Sequence, residues 1–511
     1  MNRLTPRKAR FCTVMILAAG LVVAVAGAMT AGMAVTLAGV VLEMGGLVFD
    51  IIFYRCPNCG KYLDRSYGDY CPHCGVEMER WMDGGSAGQD GTRSVPEPAA
   101  HVKEHVKEKE NGMQYDFTTI LDRRGWDAMA VDGLGKGFAP QPPKEGFDII
   151  PMWVADMNFP AAPAIPEALV RRASHPAYGY FQLPPSYFEA IRGWQRTRNG
   201  VEDLPDEAIG YENGVLGGVV SALHVMCPRG GPVLVHSPTY IGFTNVLKAN
   251  GYEIIHSPLT PDEKGVWRMD FADMADKLRR YSIHTAIFCS PHNPCGRVWE
   301  RWEIEEVMEL FAQYDVQVIS DEIWSDLLLE GRRHIPTQSV SEDAKYRTVA
   351  LYAPSKTFNL AGLVGSYHII YDRRLRDLVV KESSLSHYNS VNVLSVHALI
   401  AAYNEGAAWV DELCGVLAGN VNYACDFIAE NFPGVRVFRP EATYMLFLDC
   451  TDWCAAHGIS IDELEKRGSD VGVAWQDGRM FHGPCHIRMN LALPLSRVQE
   501  AFSRLKQYVF I

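Results

Sequence analysis

Two kinds of hydrophobic pattern divide this chain. From about residue 115 onward, short apolar runs alternate with stretches whose apolar residues recur every three to four positions. The runs at 233–236, 253–257, 286–289, 316–320 and 348–352 are short, β-rich and closed by turn-forming residues, which predicts buried strands. Between or before them, 166–173, 187–198, 219–226, 245–250 and 271–281 have helical spacing. Such alternation predicts an α/β fold, a mostly parallel sheet covered on both faces. A helical stretch follows around 390–412, and 416–511 mixes helix and strand more evenly. The pattern predicts a large lobe over about 155–400 and a smaller α+β lobe built from 113–154 and 401–511.

The other pattern lies at the start. Residues 11–42 carry no charge, and about 20 apolar residues suffice to cross a bilayer. Glu43 and Asp50 then interrupt a further apolar run to Tyr54. A cleaved signal peptide would account for the basic start (Arg3, Arg7, Lys8, Arg10) and the small residues Ala26, Gly27 and Ala28. A single span is a second option. Two spans, roughly 11–29 and 33–53 around a Thr30-Ala31-Gly32 turn, fit the length better, because the apolar run continues well past the small residues. A hairpin over 1–54 puts both basic flanks, the N-terminus and Arg55/Lys61/Arg65, on the cytoplasmic side. It predicts a chain held at the cell membrane with its remaining domains in the cytoplasm. Glu43 inside a span is costly and calls for a partner or a wet neighbour.

Next come Cys56-Pro57-Asn58-Cys59-Gly60 and Cys71-Pro72-His73-Cys74-Gly75. Each small turn lets two thiolates point at one ion, and four thiolates complete a closed tetrahedral zinc site. The segment has too few apolar residues to fold alone, so metal binding would supply its folding energy. Residues 55–81 thus resemble a short zinc ribbon, with Zn2+ on Cys56, Cys59, Cys71 and Cys74; a redox dithiol pair is the alternative. Residues 82–112, rich in Gly, Ser, Pro and charge, read as a solvated linker.

Net charge of −13 argues against a general nucleic-acid binder. Of 13 cysteines, four sit in the ribbon motif and the rest are scattered. That distribution suits a reducing compartment, not a disulfide framework.

Candidate chemistry gathers at the ends of the predicted strands. The run 348–352 leads into APSKTFNLAGL (353–363), so Lys356 closes a buried strand. Lysine is rarely buried without a partner or a task, and burial lowers its pKa, freeing the amine to attack an aldehyde. The run 286–289 leads into SPHNPCGRVW (290–299) and places the Asn293 amide at a strand's carboxyl end. The run 316–320 ends on Asp321 in SDEIW (320–324), and CHIRMNLA (485–492) carries Arg488 in a strand-like stretch. In an open α/β sheet the ligand lies beyond the carboxyl ends of the strands, where Asn293, Asp321 and Lys356 would converge. Taken singly, Asp321 reads equally as a helix cap, Tyr240 as core packing and Arg488 as half of an ion pair.

Together these motifs, in this order, resemble the fold-type I pyridoxal-5′-phosphate enzymes of the class I/II aminotransferase superfamily over about 113–511. WVADMNFP (153–160), YGY (178–180) and SKTFNLAGL (355–363) are most similar to its cystathionine β-lyase branch, the MalY/PatB-type C–S lyases. The resemblance implies that Lys356 carries the cofactor covalently and then serves as the base. Asp321 would face the pyridine nitrogen and Asn293 the ring hydroxyl. The helix start at 212–218, with Val215 and Leu216, would receive the phosphate together with Ser355. Tyr240 would stack on the ring, and Arg488 would clamp an amino-acid carboxylate. Tyr180 would reach the neighbouring subunit's phosphate in a homodimer. Two positions depart from the family pattern. Trp324 stands where many members have tyrosine or histidine, and Val364 where many have a phosphate-balancing arginine. The implied reaction is β-elimination from an L-cysteine thioether; aminotransfer and a vestigial, regulatory role are the alternatives.

Overall fold

The computed structural model describes residues 113–385 and 388–511, with a few isolated helical positions between 15 and 41. The chain divides into two compact units, 1–104 and 105–511. The hairpin expected over 1–54, the ribbon cysteines Cys56, Cys59, Cys71 and Cys74, and the linker 82–112 lie outside the described residues. Among the described residues no helix is long and apolar enough to cross a membrane. Nor does any group of three or more His, Cys, Asp or Glu among them stand ready to hold a metal ion.

In the second unit a short strand, β1 (Ile150–Pro151), comes first and pairs in parallel with Val473–Ala474 far along the chain. The large sheet then comprises β2 (Ile209–Asn213), β3 (Pro232–Ser237), β4 (Glu253–Pro261), β5 (Trp267–Met269), β6 (Thr285–Cys289), β7 (Gln317–Asp321), β8 (Thr348–Tyr352) and β9 (Gly365–Ile369). Their spatial order is β2-β9-β8-β7-β6-β3-β4-β5. The central five, β8-β7-β6-β3-β4, are all parallel. At the margins β9 runs against β8, β2 against β9 and β5 against β4. β6 and β8 are buried at every residue, as expected of strands covered on both faces. That is why they read as continuous apolar runs and not as alternations.

Strand order reverses between β3 and β6, because β6, β7 and β8 step one way and β4 the other. A crevice opens at such a point beyond the carboxyl ends. Register aligns those ends: Cys289 pairs with Asp321, and Asp321 with Leu351. The chain leaving each strand therefore delivers its next residues to one rim.

Helices that matter to the site are α1 (Pro185–Asn199), α2 (Val215–Met226), the single turn α3 (Pro354–Thr357), α4 (Val393–Glu405), α5 (Ala407–Asn431) and α6 (Leu495–Tyr508). The helical stretch read around 390–412 continues to Asn431 after one interruption at Gly406. A Cβ there would come within 2.3 Å of the Phe358 ring, so only glycine lets the α4–α5 corner sit against the segment carrying Lys356.

Beyond α5 a second, antiparallel sheet has the order β10-β11-β14-β13, formed by β10 (Arg436–Val437), β11 (Met445–Asp449), β13 (Gln476–Asp477) and β14 (His486–Asn490); β12 (Val473–Ala474) is the partner of β1. Arg488 on β14 faces Phe447 on one side and Gln476 on the other. Phe432 lies 4.3 Å from Phe510, and Phe427 lies 5.6 Å from Phe502, packing α5 onto α6 and the C-terminus. Fully burying a ring such as Phe432 or Phe502 contributes about 1.5–3 kcal/mol.

A buried charge cluster also joins distant segments. Arg297, wholly buried, donates to Glu303 at 2.6 Å and to Glu441, and the Glu441 N–H donates to Gly296 O at 2.8 Å.

Candidate active site

Lys356 sits in α3, one residue beyond the Pro354-Ser355 pair that starts the turn. Its Nζ donates to the Ala155 carbonyl at 2.8 Å and lies 5.6 Å from the centre of the Trp324 ring. Burial and the positive charge of Arg488 pull its pKa down to about 8, against the opposing pull of Asp156 and Asp321. At neutral pH an appreciable fraction of the amine is therefore unprotonated, as a nucleophile or base requires.

Asp321 ends β7, buried, and accepts one hydrogen bond from the Ile323 N–H at 3.1 Å. Burial raises its pKa to about 7; that single bond and Lys356 oppose the rise, while Glu322 adds to it. A buried carboxyl so sparsely satisfied favours a cationic N–H partner.

Arg488 is 3% exposed. One Nη donates to Asn293 Oδ1 at 3.5 Å, and the other to Trp153 O at 3.2 Å and to Gln476 Oε1. Its guanidinium carbon is 4.3 Å from the Phe481 ring centre. Desolvation pulls its pKa down to about 10, with Tyr240 and Tyr444 acting the other way. Its Nε is buried and has no hydrogen-bond partner among the described residues. Such an orphan donor suits an anionic ligand, because an unmade bond at a buried charged group is expensive. Asn293 is itself 3% exposed, so the Asn293 and Arg488 predictions meet in one place.

The segment 153–158 roofs the site and is pinned from several sides. Asn490 donates to Val154 O and Asp156 O, Tyr444 Oη donates to Ala155 O at 3.0 Å, and Asn359 bonds both backbone groups of Met157. Arg123 pairs with Asp156 at 2.6 Å.

Val215 and Leu216 begin α2, and Gly214 before them adopts φ 83° and ψ 144°. That backbone region is essentially reserved for glycine, and a helix that starts there leaves its first N–H groups without intrahelical acceptors, which suits a phosphate. Ser355 is half-buried in α3. Tyr240 follows β3 at the switch point, with the Phe243 ring 5.3 Å away, and burial raises its pKa. Tyr180 stands apart: it is fully exposed, in a loop rich in exposed residues.

Comparison with known proteins fits this geometry. The model of the family "Aminotransferase class I and II" matches residues 156–505. The chain belongs to that family. Cystathionine beta-lyase PatB of Bacillus subtilis is 36% identical over 394 residues, covering 76% of this chain and 99% of PatB. Protein MalY of Escherichia coli is 30% identical over 408 residues, covering 76% and 98%. Among solved structures, the PLP-bound C–S lyase of Staphylococcus hominis superposes with a TM-score of 0.71 at 30% identity, covering 78% of this chain and 99% of that one.

For this aminotransferase-family member the structure adds residues that motif reasoning passed over. Glu322, beside Asp321, is fully buried. It accepts from His334 Nε2 at 2.6 Å, Thr337 N at 3.0 Å, Ser320 Oγ at 2.9 Å and Tyr352 Oη. Burial alone would raise its pKa, but His334 and these donors hold it below the usual range. Asp326 accepts from Trp194 Nε1 at 3.0 Å and from Thr357 Oγ1 at 2.8 Å, bracing the turn that carries Lys356. The signal was in the sequence: SDEIWSD holds three acids, and only the first had been assigned a role. Gln476 and Tyr444 carried no such signal, since Gln476 meets Arg488 across paired strands and Tyr444 reaches the distant Ala155 carbonyl through its hydroxyl. Trp324, in place of the family's hydrogen-bonding residue, is 1% exposed and packs edge-on against Tyr444 at 4.9 Å. Val364 adopts φ 66° and stays half-exposed.

Proposed function

We propose that this chain is a pyridoxal-5′-phosphate-dependent C–S lyase that cleaves L-cysteine thioethers such as cystathionine, giving pyruvate, ammonia and a thiol. The observation that carries the reading is the match over 99% of PatB in a chain whose Lys356 interacts electrostatically with both Asp321 and Arg488, and whose Arg488 bonds Asn293. The residues also fit the cofactor: a carboxyl in need of a cation, a depressed lysine, an orphaned guanidinium N–H and a glycine-shaped helix start.

When bound, the cofactor supplies an aldehyde for covalent attachment and a ring that accepts an electron pair. Lys356 would hold it and, once displaced by substrate, take the proton from the α-carbon. Asp321 would keep a proton on the ring nitrogen, and Asn293 would bind the ring hydroxyl. Tyr240 would lie against the ring, while the Val215 and Leu216 N–H groups and Ser355 would bind the phosphate. Arg488 would bind the substrate carboxylate. Tyr180 would act only in a homodimer, on the partner subunit's cofactor.

Purified protein given cystathionine and no 2-oxo acid should release pyruvate. No pyruvate would overturn this reading, and turnover only with an added 2-oxo acid acceptor would replace it with aminotransfer. Sequence pattern supports two companion proposals: a membrane hairpin over 1–54 that keeps the enzyme on the cytoplasmic face, and a structural Zn2+ on Cys56, Cys59, Cys71 and Cys74. Pelleting of the full chain with membranes, and one zinc per chain by elemental analysis, check them.

A further inference from the structure

A cavity of about 970 Å3 lies apart from the lysine crevice, where the end of α1, the loop after β7 and α5 meet. Five arginines line it: Arg196, Arg198, Arg301, Arg332 and Arg333, against three carboxylates, Asp326, Glu330 and Asp411. In a chain of net charge −13 this is a local reversal of sign. Three of the guanidiniums are paired: Arg198 with Asp411 at 2.6 Å, Arg332 with Glu441 at 2.8 Å and Arg301 with Glu305 at 3.6 Å. Arg196 and Arg333 line the same cavity and have no ion pair among the described residues, so both guanidiniums are open to a ligand. Such concave clusters concentrate anions, and guanidinium forks match carboxylate and phosphate groups.

Two lining residues lead inward. Asp326 is the buried acceptor for Thr357, next to Lys356; His334 is buried with Nε2 on Glu322, next to Asp321. The cavity thus backs onto the two residues that carry the chemistry, through one hydrogen bond each. Its volume is at the upper end of small-molecule sites, roughly 300–1,000 Å3, too large for a lone inorganic anion.

We infer that this cavity is a binding site for a small organic polyanion bearing two or three carboxylate or phosphate groups, gripped by Arg196 and Arg333. The inference is independent of the lyase reading, and its test reads binding instead of turnover. Citrate is titrated into the full-chain holoenzyme by calorimetry, with sodium chloride balancing ionic strength, for the parent, R196A/R333A and R488A. Arg196 and Arg333 are exposed, so their replacement leaves the core untouched. Saturable 1:1 binding in the parent and R488A, weakened at least tenfold in R196A/R333A, is the expected result. Absence of saturable binding overturns the inference. So does binding lost in R488A and kept in R196A/R333A, which would place citrate in the substrate crevice, or equal weakening in both, which would mark a diffuse charge effect.

Discussion

Replacing Arg488 by lysine keeps a cation in the same surroundings but removes the fork. In the parent, Trp153 O and Gln476 occupy one Nη, the other reaches Asn293 only at 3.5 Å, and Nε has no partner among the described residues. Two donors therefore have capacity for a substrate carboxylate, where an ammonium offers a single point of charge. The exchange loses one charge-assisted hydrogen bond, about 1.5–3 kcal/mol, or roughly a 10- to 150-fold rise in KM. Because the carboxylate is held equally before and during the reaction, kcat should stay within a few-fold. The assay is pyruvate release across a cystathionine series, with a thermal melt to establish that R488K is folded. A KM within threefold of the parent, or a fall in kcat at constant KM, would refute the assignment of Arg488 as the carboxylate clamp.

Further expectations concern the same rim. Lys356 is held near pKa 8 against about 10.5 in an unfolded chain, so protonation opposes folding, fully below pH 8 and not at all above pH 10.5. Cofactor-free K356M should accordingly melt higher than the parent at pH 7, with the gain fading between pH 8 and 10.5, and it should form no borohydride-reducible adduct; a gain independent of pH contradicts the shift. E322A strands His334, Tyr352 and Thr337 N in the core and should cost about 3–5 kcal/mol in chemical denaturation, with E322Q milder. G214A forces a side chain into a glycine-only conformation worth about 1–3 kcal/mol of strain; it should release cofactor at least fivefold more readily on dialysis while the secondary structure stays intact.

The parts of this protein legible in its sequence are those governed by local rules. Buried parallel strands are short apolar runs, so β3, β6, β7 and β8 and the residues after them could be placed without coordinates. The helix start expected within 212–218 lies at Val215. What stayed hidden depends on partners remote in the chain. Gln476 meets Arg488 by pairing across β13 and β14, and Ala155 meets Lys356 across some two hundred positions of sequence. No periodicity encodes either contact. The helix α5 runs to Asn431, past the stretch read around 390–412, and the smallness of Gly406 just before it serves the approach of Phe358.

The Ala155 carbonyl accepts two donors, Lys356 Nζ and the Tyr444 hydroxyl. The Tyr444 hydroxyl holds that oxygen whether or not Lys356 donates to it. The backbone at Ala155 therefore keeps an anchor that does not depend on where the lysine amine is engaged.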